Sequence, residues 1–277
     1  MLVFVKLIRS KNQIKILAKM NNFGYNYFMV ISYAVKILNY YSSYLTTPQA
    51  ILCMVFCVLA FCLALMIALS FHEMAHAFAA KINGDLTAKY EGRLTPNPFK
   101  HFDPIGMLMM FLVGFGWAKP VPVNPSNFNN HKKGLIETSI AGVLTNLIFA
   151  VIFSLLYLLF ALIPTPSLDN SMLLYLWLFC DYFLYFGVIF NINFFLFNLI
   201  PLFPLDGFRL WDALFPRSKI LEFLYKYGSL ILIGLIVFGY VTENFFGVNL
   251  SPLNLYISYV GTWIRDGLFA FWGLFGL

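Results

Sequence analysis

The chain has 277 residues, 61% of them hydrophobic and 11% charged, against about 45–50% and about 25% in an ordinary soluble domain. With a mean hydropathy of +0.79, this excludes a disordered chain and a water-soluble cytosolic enzyme, because too few charges remain to cover so much apolar surface. The net charge of +6, from 18 Lys and Arg against 12 Asp and Glu, is concentrated near the start and in two inter-helix segments. It points to a chain that lies in a lipid bilayer, not to one that binds nucleic acid.

In chain order, the basic segment Met1–Lys19 is followed by no short apolar run with a small-residue cleavage site. Phe23–Leu45 is long enough to cross a membrane although it carries Lys36, and a crossing there is expected. Ile51–Ala80 is a strong span, opened by Thr47 and Pro48, with Glu73 as its one charge. Asp103–Trp117 is apolar but short, with Asp103 as cap and Pro104 at the first helical position, and it reads as a re-entrant piece. Ile136–Ile163, Met172–Ile200 and Ser229–Phe246 are further spans, the first two ended by prolines. Leu253–Leu277 contains Arg265 and Asp266 and is expected to span or to lie in the interface. Cys53, Cys57, Cys62 and Cys180 sit inside apolar runs and read as small apolar filler.

The fold class is therefore an all-α polytopic membrane protein. It has five or six transmembrane helices, a short re-entrant element and room for a small β-hairpin near the active site. Three regions are expected: 1–47, a basic segment with an extra span; 48–250, the core; and 251–277, a C-terminal interfacial or membrane helix. Lys and Arg crowd 81–133 and 201–228 and are absent from 164–171. The first two segments are thus assigned to the cytoplasmic side of a multi-pass cell (inner) membrane protein.

The chemistry begins at His72-Glu73-Met74-Ala75-His76. Histidines at i and i+4 share one helix face and can reach one metal, and the glutamate beside them can take a proton from water. Three ionisable groups within five residues of a membrane span are costly and mark function. A catalytic zinc needs a third protein ligand and an open position. Asp206 is one candidate: Pro201 and Pro204 break the helix before it, and Gly207 permits a sharp turn after it. Asp181, in mid-span, and Glu137, at the start of its span, compete for the role. Val121 and Val123 alternate with prolines, a pattern that suits an edge strand able to hold an extended peptide, or equally a rigid loop. His101 and His131, in basic loops, read as solvated surface residues.

His72-Glu73-x-x-His76 together with Asn198-x-x-Pro201-x-x-Pro204-Leu205-Asp206-Gly207 resembles the paired motif of the site-2 protease family of intramembrane zinc metalloproteases. Arg93-Leu-Thr-Pro-Asn-Pro, Asp103-Pro-Ile-Gly106, Gly116-Trp-Ala-Lys-Pro-Val-Pro-Val-Asn124-Pro125 and Ala141-Gly142-x-x-x-Asn146 resemble its compact bacterial branch, which lacks a PDZ insert. Pro96, Met107 and Val143 depart from that pattern. The resemblance spans about residues 50–250. It implies one zinc per chain on His72, His76 and Asp206, and Glu73 as general base. Asn198 and Asn146 are candidates for steadying the scissile carbonyl, and Gly116, Val121 and Val123 for holding substrate. The implied partner is a membrane protein substrate with a transmembrane helix, cut at an active site nearer the cytoplasmic side. Two alternatives stand beside this reading: a membrane-anchored zincin with Glu137 as third ligand, and a non-proteolytic metal-binding membrane protein.

Overall fold

The computed structural model describes residues 45–113, 116–166, 171–216 and 218–276, with six positions between 35 and 42. The expected span at Phe23–Leu45 lies for the most part outside the described residues. The helices, in order, are α1 (Thr47–Ile82), α2 (Thr87–Tyr90), α3 (Pro98–His101), α4 (Pro104–Val113), α5 (His131–Phe160), α6 (Ser171–Asn198), α7 (Asp206–Leu214), α8 (Lys219–Phe246) and α9 (Pro252–Gly273), with a 3-10 turn at Pro125–Asn127. Four of them, α1, α5, α6 and α8, are long and apolar enough to cross a membrane. At 10 residues, α4 reaches only about 15 Å and is too short for a crossing.

Helix boundaries follow local chemistry. At the start of α1, Thr46 donates its backbone N–H and its hydroxyl to Gln49 Oε1, at 3.1 and 2.8 Å, and Pro48 occupies the first turn, where a missing N–H costs nothing. Asn130 Oδ1 accepts from the Lys133 N–H at 3.0 Å and starts α5 five residues earlier than its apolar run. Asp103 Oδ1 accepts from the N–H groups of Ile105 and Gly106 and starts α4 as expected.

The bundle is held by small residues set against large ones. α1 turns Cys53, Cys57, Ala60, Ala64 and Ala68 toward α6, whose Tyr175, Leu178, Tyr182, Phe186 and Phe190 fill the space. Small side chains let the helices approach closely, which is the main source of attraction where lipid removes the hydrophobic one. Rings one turn apart stack along α6, Tyr182 on Phe186 and Phe186 on Phe190, while Phe61 of α1 meets Phe190 edge-on at 4.8 Å. α5 packs against both α1 and α6. The four cysteines are free thiols. α9 lies along α6 and α5, with Trp272 Nε1–H donating to Ser154 of α5 at 2.9 Å. Its buried Arg265 pairs with Asp266.

The expected hairpin is not formed: among the described residues there is no strand. Residues 116–124 run as irregular backbone, and their hydrogen bonds explain why. Pro120 and Pro122 have no N–H to donate. Three of the other donors go to separate partners: Lys119 to the His101 carbonyl, Val121 to Glu73 and Asn124 to Asp85. Arg93 also donates to the Lys119 carbonyl at 2.6 Å.

Asp85 is the knot of this layer. It is fully buried and accepts from the Thr87 N–H and hydroxyl, the Asn124 N–H and Asn127 Nδ2. Burial alone would raise its pKa, but these hydrogen bonds outweigh it and hold the carboxyl below the usual carboxylate range. A depressed folded pKa means that the stabilisation is present above the unfolded value and is lost as pH falls through the folded one. Asp85→Ala strands several buried donors and is expected to cost at least about 2 kcal/mol. A lower thermal midpoint in detergent checks this.

Candidate metal centre

The metal-binding side chains sit on three elements. His72 and His76 lie in the last third of α1, about 9–15 Å before its end. Asp206 opens α7 after the loop from Leu199 to Leu205. That loop works because position 207 is glycine: a Cβ there would lie 2.5 Å from the Leu199 carbonyl oxygen. The close approach tucks the start of α7 under the end of α6 and against α5.

His72 Nε2, His76 Nε2 and Asp206 Oδ2 form a near-equilateral triangle, 3.0 Å between the imidazoles and 3.1 Å from each to the carboxylate. All three residues are buried. The other imidazole nitrogens are already committed. His72 Nδ1–H donates to Asn146 Oδ1 at 2.6 Å, and His76 Nδ1–H donates to the Thr138 carbonyl at 2.7 Å. Both Nε2 atoms therefore present lone pairs, and with the carboxylate three acceptors converge on one point without a donor among them. A cation resolves that arrangement. The donor set fits zinc, whose tetrahedral bonds of about 2.1 Å would space such atoms about 3.4 Å apart.

Among the described residues, His72, His76 and Asp206 are the group of His, Cys, Asp and Glu side chains close enough together to share an ion. Glu137 is engaged elsewhere, accepting from Asn83 Nδ2 at 2.9 Å and pairing with Lys133 at 3.6 Å. Asp181 lies mid-helix in α6, outside the group. Glu73, half-buried beside the triangle, accepts at Oε2 from the Val121 N–H at 2.8 Å. The Val121 side chain packs with Ala77 and Ala88, with Val123 at the edge of the same cluster. Gly116 stands at the start of this irregular stretch. Asn198 is partly buried and donates to the Phe194 carbonyl at 3.1 Å.

Asn146 is wholly buried, and both its amide hydrogens are engaged, one by Asn191 Oδ1 at 2.8 Å and one by the Ala68 carbonyl at 3.3 Å. No hydrogen remains for a substrate oxygen; the side chain holds His72 instead. His101 is another correction. It is 2% exposed, and its Nε2–H donates to the Thr95 carbonyl, because α3 turns it inward beneath Lys119. His131 is exposed, as expected.

Gly142 of α5 closes the floor of the site. A Cβ there would lie 2.5 Å from His76 Nε2 and 2.6 Å from His72 Cε1. Gly142→Val is expected to push both imidazoles off the common point and to cost zinc affinity, with little change in helix content. Competition with a chromophoric chelator, alongside circular dichroism, checks it.

Comparison with known proteins agrees with this chemistry. The family model described as "Peptidase family M50" matches residues 176–238, the stretch that carries Asp206. A Bacillus subtilis (strain 168) protein named "Putative zinc metalloprotease YwhC" is 40% identical over 183 residues, covering 63% of this chain and 78% of that protein. The chain belongs to peptidase family M50. No solved structure matches it. As an M50 metalloprotease it uses zinc, and the three converging side chains are where its sequence offers a place for the ion.

Proposed function

We propose that this M50 metalloprotease is an intramembrane endopeptidase that cuts a transmembrane segment of another membrane protein. His72, His76 and Asp206 would hold the zinc and Glu73 would act as general base. The observation that carries the reading is the convergence of three acceptor atoms, beside a glutamate, within the length of an apolar helix able to cross a membrane. A zinc ion bound there supplies a Lewis acid for a peptide carbonyl and acidifies water.

The remaining steps fall to the chain itself. Glu73 takes the proton of the attacking water and passes it to the leaving amine. The Val121 N–H fixes one carboxylate oxygen of Glu73 and leaves the other for that proton. Asn198 has one amide hydrogen beyond its bond to Phe194 and is our candidate donor to the developing oxyanion. Gly116, Val121 and Val123 lie along irregular backbone beside Glu73, and an unwound substrate segment would add there through the Val121 carbonyl and the Val123 backbone. The cations of 81–133 and 201–228 favour a cell (inner) membrane orientation with this end cytoplasmic, so water would enter from that side.

The test is to incubate the purified full chain in detergent with single-span membrane proteins and to map the products by mass spectrometry. Cuts inside the apolar segment that vanish with Glu73→Gln are expected. Cuts confined to soluble tails would overturn the intramembrane reading.

A further inference from the structure

The chain of buried amides behind His72 does more than fill space. Asn191, on α6, is 1% exposed, and Asn146, on α5, is 0% exposed. Asn191 Nδ2 donates to the Gly187 carbonyl at 2.7 Å. A carbonyl only accepts, so this contact fixes which end of the Asn191 amide is which. Its Oδ1 must then face Asn146 and accept from Asn146 Nδ2 at 2.8 Å. That in turn leaves Asn146 Oδ1 facing His72 Nδ1 at 2.6 Å. An oxygen there requires the proton on Nδ1 and the lone pair on Nε2, the tautomer that ligates a metal.

We infer that Asn191 is a positioning residue for the zinc site, setting the tautomer and ring orientation of His72 through Asn146. The inference rests on His72 being a zinc ligand. The direction of each hydrogen bond follows from the Gly187 carbonyl, so the relay has one polarity and spans α6, α5 and α1. It ties the helix that leads into the Asp206 loop to the helix that carries both histidines. Buried amides of this kind are costly in an apolar bundle unless fully paired, and here each is paired to the next.

Loss of a partner that orients a metal-ligating histidine costs about 10–100-fold in metal affinity. Asn191→Ser breaks only the link to Asn146, because a serine hydroxyl can bond back to the Gly187 carbonyl one turn earlier. Asn191→Asp keeps an oxygen that accepts from Asn146 Nδ2 in either protonation state. We would measure Zn2+ affinity of the full chain in detergent by chelator competition, and the visible spectrum of the Co2+-loaded protein as a report on ligand geometry. Asn191→Ser should weaken Zn2+ about tenfold or more and alter the Co2+ bands, while Asn191→Asp stays within about threefold of the parent. In an Asn146→Leu background, Asn191→Ser should add nothing further, since it acts through that residue.

An Asn191→Ser affinity within about twofold of the parent would overturn the relay, as would additive losses in the double variant or equal losses from the Ser and Asp substitutions. Asn191→Leu, which also removes the side-chain bond to the Gly187 carbonyl, is a harsher break that should weaken Zn2+ at least as much. His72→Ala separates the two claims. If it retains zinc, the ligand assignment has failed; if it loses zinc while Asn191→Ser does not weaken it, the relay alone has failed.

Discussion

Glu73→Gln is expected to leave one zinc bound per chain and to slow peptide cleavage by at least about 10²–10⁴-fold. The amide keeps the size of the carboxylate, and its oxygen can still accept from the Val121 N–H, so the bond seen at 2.8 Å survives. What it loses is the ability to take a proton from water. Neither His72 nor His76 can replace it, because each has its Nδ1–H committed and its Nε2 turned to the common point. Zinc content by atomic emission and turnover of a transmembrane substrate check the two halves of the expectation. Cleavage within tenfold of the parent rate would remove Glu73 from the role of base.

Asp206→Ala should abolish stable zinc binding, a larger effect than the about 10–100-fold expected for loss of an outer partner. The substitution deletes one of three donor atoms and leaves two neutral imidazoles facing each other 3.0 Å apart. Glu137→Ala is the matched control. Its carboxylate serves Asn83 and Lys133, so zinc content should stay at one per chain after dialysis. The reverse pattern, zinc lost with Glu137→Ala and kept with Asp206→Ala, would make this a zincin with a glutamate ligand.

The parts of the site legible in the sequence are those fixed by short-range geometry. His72 and His76 share a face because a helix has about 3.6 residues per turn. Asp206 stands out because two prolines and a glycine surround the lone carboxylate at the end of a span. The apolar runs likewise marked α1, α5, α6 and α8, with α8 reaching ten residues further toward its N-terminus than its apolar run. Long-range pairing was not legible. The motif offered Asn146 as a donor to substrate, yet its hydrogens are spent on Asn191 and Ala68. Asn191 gave no spacing signal of its own; the one clue was the cost of an amide in an apolar span, which demands a partner. His101 carried no periodicity to read, since its burial comes from a four-residue helix folded into a loop layer. The hairpin failed for a related reason: alternating valine and proline looks like an edge strand, but its few N–H groups bond to side chains and to one distant carbonyl instead of to a partner strand.

The central claim is that two imidazole nitrogens and one carboxylate oxygen of this chain hold one zinc. X-ray absorption at the zinc edge of the purified full chain tests it most directly. The account predicts nitrogen and oxygen scatterers at about 2.0–2.2 Å, with the multiple-scattering pattern of two imidazoles and no sulfur. A sulfur shell at about 2.3 Å, which would bring in the cysteines, or a pattern of three or more imidazoles, would contradict it.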